Sequence, residues 1–323
     1  MKIFITGGTG FIGKTLVKSL ANTDHELVCL ARKTSDTRTL KAAGVKVVTG
    51  DVMDKESLKR GMRGCDWVVH LASNFEFWLP NRKIYQEVNI QGIRNLMESV
   101  LDEEIAKVVH ISTIAVYGNA VWPITEGSEY GQACASEYAQ TKRKGDEIAW
   151  KMVAEQGLPL VVVYPGAVVG SDDPKACGRY IKNFARHRMP AQVLVDAPFC
   201  WVYVEDVCQA IVKALLMEGN IGEKYFVSAA NMTFGEVNKI VCDIAGVSLP
   251  ALRLPDSLTV ISARLLTAIS DLIKSPPLLD LAVDQVALMK QGFRVDASKA
   301  ERELGIHYTP IRNAFEAAVV SCI

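Results

Sequence analysis

The chain has 323 residues, which at about 150 residues per domain points to two folding units. Its 36 Lys+Arg are balanced by 36 Asp+Glu, so it lacks the cationic excess with which a general nucleic-acid binder displaces counterions from phosphates. With 49% hydrophobic and 22% charged residues it is far from a disordered composition and can bury a large core.

In chain order, short apolar runs predict strands at 2–6, 26–31, 45–49, 66–72, 106–112 and 159–165, separated by helical patterns near 11–22, 35–43, 54–62, 83–102 and 136–156. Strand–helix alternation of this kind predicts an α/β fold, a doubly wound parallel Rossmann sheet of six strands with right-handed crossovers. After Pro165 the rhythm breaks. Short runs at 193–195, 200–204 and 224–228 mix with helical patterns near 178–187, 205–218, 234–245, 257–273, 279–290 and 310–320. Residues 1–165 are therefore expected to form a nucleotide-binding domain and 166–323 a smaller, mostly helical substrate lobe, with segments such as 200–218 able to return to the sheet.

Between the first strand and first helix stands Thr6-Gly7-Gly8-Thr9-Gly10-Phe11-Ile12-Gly13. A tight turn needs Gly7, approach of a pyrophosphate to the backbone needs Gly10, and close packing of helix on sheet needs Gly13. The second strand ends Leu30-Ala31-Arg32-Lys33, without the carboxylate that would bond the ribose hydroxyls of NAD. Five basic residues (Arg32, Lys33, Arg38, Lys41, Lys46) stand against Asp36 between 31 and 49. Arg32, helped by Lys33 or Arg38, can pair with a 2′-phosphate, so NADP is expected in preference to NAD, which stays the alternative. His70 alternates with apolar neighbours in a buried strand and reads as structural rather than as a general base.

Beyond Ser73 the loop Asn74-Phe75-Glu76-Phe77-Trp78-Leu79-Pro80 lies at the carboxyl end of a central strand, where open α/β sheets bind ligands. Its aromatics can wall an apolar substrate or pack under the lobe. Tyr138-Ala139-Gln140-Thr141-Lys142 opens a helix, and the i, i+4 spacing puts phenol and ammonium on one face, about 6 Å apart along the axis. A cation so placed favours the phenolate and brings the tyrosine toward a useful acid/base range. The segment Leu258 to Ile273 carries Arg264 and Asp271 and is too short and too charged to span a bilayer. It reads as an amphipathic helix packed on the protein or a partner, with a membrane surface as the alternative. The eight cysteines (29, 65, 134, 177, 200, 208, 242, 322) stand singly, without a Cys-x-x-Cys pair, as expected of reduced buried thiols in a cytoplasmic protein. The opening apolar run, Ile3-Phe4-Ile5, is shorter than a signal peptide requires. The five histidines (25, 70, 110, 187, 307) show no ligand spacing, so no metal site is expected.

These motifs together resemble the extended branch of the short-chain dehydrogenase/reductase superfamily, the NAD-dependent epimerase/dehydratase family. Its glycines run G-x-x-G-x-x-G, as here. The resemblance implies that Asp51-Val52 contacts adenine and that the backbone at Leu71, Ala72 and Ser73 lies along the cofactor. It implies that Pro165 and Val168 sit beside the nicotinamide. Val109-His110-Ile111-Ser112-Thr113 runs on into Val116-Tyr117-Gly118 like the family's "SSxxVYG" element, which assigns Thr113, not Ser112, to a catalytic set with Tyr138 and Lys142. Asn89 is expected to tie down its helix. Tyr164 replaces the usual Arg or Asn before the proline, a departure from nucleotide-sugar epimerases, and joins Phe75, Phe77 and Trp78 as a substrate candidate. The loop sequences and the closing Ser298–Gly305 segment look most like the dihydroflavonol-reductase-like and hopanoid-associated epimerase-like subgroup. The expected function is thus an NADPH-dependent reductase of a ketone or aldehyde, or the reverse alcohol oxidation, on a moderately apolar small molecule. The alternatives are a nucleotide-sugar epimerase or dehydratase and a catalytically silent NADP-sensing regulator. The family also implies a homodimer through helices 83–102 and 136–156.

Overall fold

The computed structural model describes all 323 residues. Ten strands occur in chain order: β1 Lys2–Thr6, β2 Glu26–Ala31, β3 Lys46–Thr49, β4 Trp67–His70, β5 Lys107–Ile111, β6 Leu160–Pro165, β7 Ala167–Val169, β8 Pro198–Tyr203, β9 Lys224–Val227 and β10 Ala230–Thr233. Seven form one parallel sheet in the order β3-β2-β1-β4-β5-β6-β9, and β10-β8-β7 form a second. The order reverses beside β1, so β1 and β4 diverge in their outgoing connections and leave a crevice at their carboxyl ends.

Both faces of the large sheet are covered, which is why its strands read as continuous apolar runs. Ile3, Ile5, Val69, Val109, Val161 and Tyr225 pack on one side with helices Phe11–Leu20 and Val204–Leu216. Phe4, Val28, Val68, Val108, Val162 and Phe226 pack on the other with helices Lys55–Met62, Ile93–Asp102 and Glu137–Gln156. A third core, built around Tyr180, Phe184, Trp201, Phe234 and Phe315, belongs to the lobe.

Several expectations need correction. The sheet has seven strands, not six, because 224–227 pairs with β6 instead of lying in the lobe. Tyr225 and Phe226 face opposite cores, so this short run is buried on both sides. Residues 193–195 are not a strand; Leu194 has φ 49° within a turn. The helical run from Lys83 to Asp102 is interrupted by a π-helical stretch at Glu87–Gly92. That stretch turns Asn89 inward, where its side chain accepts from the Asn74 amide at 2.9 Å and donates to Thr141 Oγ1 at 3.2 Å. Asn89 thereby joins the loop after β4 to the helix that carries Tyr138.

Candidate active site

The glycine turn is built as its spacing requires. Gly7 has φ +75°, and a Cβ there would lie 2.7 Å from backbone atoms of Leu71 and Ala72. At Gly13 a Cβ would lie 2.2 Å from the Gly7 carbonyl oxygen, so helix Phe11–Leu20 approaches the turn as closely as it does only without a side chain. Gly10 occupies the N-cap and offers no side-chain acceptor to the first amides of this helix. Those amides, with the positive end of the helix dipole, face the crevice and are free to receive an anion. Thr6 Oγ1 accepts from the Ala72 amide at 3.3 Å and contacts His70 Nδ1 at 2.7 Å, locking the turn to the end of β4.

Ser136 caps the helix Glu137–Gln156 through the Ala139 amide, which fixes Tyr138 in the first turn. Thr113, two residues beyond β5, stands beside the Tyr138 hydroxyl, where its side chain favours the phenolate. Burial pushes the Tyr138 phenol well above its ordinary value, and Thr113 opposes this only in part. The expected influence of Lys142 on the phenol is not seen: burial and Thr113 set the phenol's shift, and the Lys142 ammonium donates to the Ile111 carbonyl at 3.0 Å. Burial also draws Lys142 down to about 8, with Asp146 opposing the fall.

Behind Lys142 lies a fully buried polar chain that sequence reasoning missed. Ser112 donates to Asp146 Oδ2 at 2.6 Å, His110 Nε2 lies 3.3 Å from Asp146 Oδ1, and His110 stacks on His70 with ring centroids 5.1 Å apart. Burial pulls both imidazoles below their ordinary pKa, so they are neutral at pH 7. His70 is 0% exposed and has no access to the cleft, in keeping with a structural part. The missed signal was Asp146, four residues beyond Lys142 on the same helix face.

One cleft gathers most of the candidates. Gly7, Gly10, Phe11, Ile12, Gly13, Leu71 and Ser73 line its cofactor end, Thr113 and Tyr138 its middle, and Pro165 and Val168 the adjoining wall. Phe75 and Phe77 enter from the loop after β4, with ring centroids 5.0 and 6.2 Å from that of Tyr138. The lobe closes the far end with Phe199, Phe234, Leu288, Met289 and Phe293, which are scattered over a strand, two helices and a loop and share no spacing that would have flagged them. Of 32 lining residues 21 are hydrophobic, which suits an apolar ligand.

Two substrate candidates are corrected. Trp78 turns away, its indole donating to Asp271 Oδ1 at 2.8 Å on helix Asp256–Ile273. Tyr164 is 0% exposed, accepts from Trp150 Nε1 at 3.2 Å and packs against Tyr117 and Phe226 inside the core. Ion pairs hold the aromatic loop in place: Glu76 meets Lys175 at 2.7 Å and Arg179 at 3.1 Å, and Arg82 bridges Glu137 and Asp284.

At the outer end of the crevice Arg32 and Lys33 are exposed and make no ion pair. Arg38 does not assist them; its guanidinium grips Asp36 at 2.7 Å and holds that carboxyl well below the usual range. Asp51 accepts from the Met53 amide at 2.9 Å, and Val52 is buried beside Asn95, which donates to its carbonyl. An uncapped helix start, a glycine cradle that a Cβ would fill and an apolar wall at Pro165 and Val168 together fit a dinucleotide.

Comparison with known proteins agrees with this geometry. The model of the NAD dependent epimerase/dehydratase family matches residues 3–228. Sterol demethylase protein B of Methylococcus capsulatus is 29% identical, over 99% of this chain and 97% of that protein. A putative dihydroflavonol 4-reductase of Synechocystis is 27% identical, over 98% and 93%. The crystal structure of gox2253 superposes with a TM-score of 0.85 at 27% identity, covering 99% of this chain and 97% of the other. With the family model spanning well over half of its length, the chain belongs to the NAD-dependent epimerase/dehydratase family, in the extended short-chain dehydrogenase/reductase superfamily, and is an NAD(P)-dependent oxidoreductase.

Proposed function

We propose that the protein is an NADPH-dependent reductase of a ketone or aldehyde, able to run in reverse on the alcohol, and that its substrate is a moderately apolar small molecule. The observation that carries this reading is the position of the Tyr138 hydroxyl, paired with Thr113 and set between the glycine turn and an aromatic pocket.

Bound NADPH supplies hydride from its nicotinamide ring. Thr113 and Tyr138 grip the carbonyl oxygen of the substrate by hydrogen bonds and so orient it. Burial keeps the phenol protonated, and it is therefore set to act as the acid, passing its proton to the oxygen as negative charge develops there. Lys142 then stabilises the phenolate that remains and would bond the nicotinamide ribose. The Gly10 region and the start of helix Phe11–Leu20 would receive the pyrophosphate and Asp51 and Val52 the adenine, and the protein backbone at Leu71, Ala72 and Ser73 would lie along the cofactor. Pro165 and Val168 would support the nicotinamide. Phe75 and Phe77 exclude water from the reacting oxygen, which strengthens each hydrogen bond made to it.

The free cations Arg32 and Lys33 support NADPH over NADH, because a 2′-phosphate gains charge-assisted hydrogen bonds there. The apolar lining supports a carbonyl of moderate hydrophobicity over a nucleotide sugar, whose diphosphate needs several donors. The test is NADPH oxidation across apolar ketones, aldehydes and nucleotide sugars in parallel, with assay of retained nucleotide. Turnover of an apolar carbonyl with exchangeable NADPH is expected. Turnover of a nucleotide sugar with NAD retained in the purified protein would replace this reading with an epimerase.

A further inference from the structure

The helix Asp256–Ile273 is packed with its polarity reversed. Its buried positions are the small residues Thr259, Ala263, Thr267 and Ser270, which repeat at helical spacing and bring the helix close to the protein body. Thr267 Oγ1 accepts from the Val283 amide at 2.9 Å, at the start of the helix that supplies Leu288 and Met289 to the cleft. Leu258, Ile261, Leu265, Ile269 and Leu272 recur at intervals of three and four on the outer face. Leu265 is 61% and Leu272 83% exposed, and exposed Leu252 and Leu278 extend the apolar strip beyond the two helix ends. Single exposed apolar residues are ordinary, but a contiguous helical face of this kind marks an interaction surface.

We propose that this helix docks the protein on an anionic lipid surface. No helix of the protein is long and apolar enough to cross a membrane, so the contact is a helix lying in the interface with its apolar face among the acyl chains. Charge selects the surface: Arg253, Arg264 and Lys274 flank the strip, are exposed and have no ion-pair partner, and they outnumber the exposed carboxylates of the helix, Asp256 in its first turn and Asp271, which accepts from Trp78. A second copy of the chain is the competing occupant, and the experiment below separates the two. The helix is tied to the aromatic loop, since Asp271 holds Trp78 of the segment whose Phe75 and Phe77 rings lie 5.0 and 6.2 Å from that of Tyr138. The docking itself does not depend on the substrate reading above.

Flotation with vesicles, without cofactor or substrate, tests it. The wild-type protein is expected to float with phosphatidylcholine/phosphatidylglycerol vesicles and less with pure phosphatidylcholine. A Leu265→Glu/Ile269→Glu variant should bind about a hundredfold more weakly, since each of the two aliphatic side chains is worth about a decade of affinity when buried. Leu272→Ser, at the most exposed position of the helix, should weaken binding several-fold without disturbing the fold, as checked by thermal melting. Failure of the wild type to float, or undiminished flotation of both variants, overturns the proposal. So does a wild-type dimer in light scattering that Leu265→Glu/Ile269→Glu turns into monomer, which would make the face an interface between copies.

Discussion

Replacing Lys142 by methionine separates the stability of the site from its chemistry. Lys142 is 1% exposed, and its ammonium donates one hydrogen bond, to the Ile111 carbonyl. Burial lowers its pKa from the ordinary 10.5 to about 8. At about 1.4 kcal/mol for each pKa unit, the buried charge costs the folded state about 3 kcal/mol at pH 7. Because the folded value lies below the unfolded one, that cost is fully present below pH 8. It is relieved as pH rises from about 8 to 10.5, where the unfolded chain still binds the proton and the folded chain does not. Methionine keeps the unbranched stem without the charge and gives up one hydrogen bond, worth about 1–2 kcal/mol. Lys142→Met should therefore be about 1–2 kcal/mol more stable than wild type at pH 7, lose that advantage by pH 10, and have almost no activity. Urea unfolding of both cofactor-free proteins at the two pH values gives the comparison, and the difference cancels other titrating groups. A variant less stable than wild type at pH 7, or a difference that does not change with pH, would refute the reasoning.

Tyr138→Phe removes the proposed acid and should lower turnover by about 10²–10⁴-fold, while NADPH titration followed by fluorescence stays near wild type. Gly13→Ala puts a methyl group against the Gly7 carbonyl oxygen; a melting curve should show a loss of about 1–3 kcal/mol, accompanied by weaker cofactor binding. Arg32→Asp should cut the NADPH-to-NADH ratio of kcat/KM about tenfold or more, the worth of one charge-assisted hydrogen bond. Ser112→Ala strips Asp146 of its 2.6 Å donor and should cost about 1–3 kcal/mol in urea unfolding, with the glycine turn unchanged.

Local chemistry was readable in the sequence wherever one short segment carried it. The glycine turn depends on φ and close approach within eight residues, and Tyr138 and Lys142 depend on one helix face. Phe75 and Phe77 reach the cleft as a ligand-binding loop at a strand end predicts, whereas Trp78, one residue on, is claimed by Asp271 from a helix far away in sequence. Tyr164 shows the same limit: its place in the motif suggested the site, but alternation along β6 sends its ring into the core with Tyr117 and Phe226. Arg38 was lost to Asp36, a pairing that depends on side-chain reach rather than on composition. The seventh strand escaped because four residues flanked by lobe segments carry little periodicity of their own; only the partner strand β6 makes them a sheet edge. The reversed polarity of helix 256–273 was invisible for a related reason. Amphipathic periodicity tells two faces apart and leaves open which of them faces the protein.

The most direct test of the account is the rate of NADPH consumption by wild-type and Tyr138→Phe protein on the best apolar ketone or aldehyde of the panel. The account predicts turnover by the wild type, preferring NADPH to NADH, and its near abolition in the variant with NADPH affinity retained. Comparable turnover by the two proteins, or none by the wild type on any carbonyl despite NADPH binding, would contradict it.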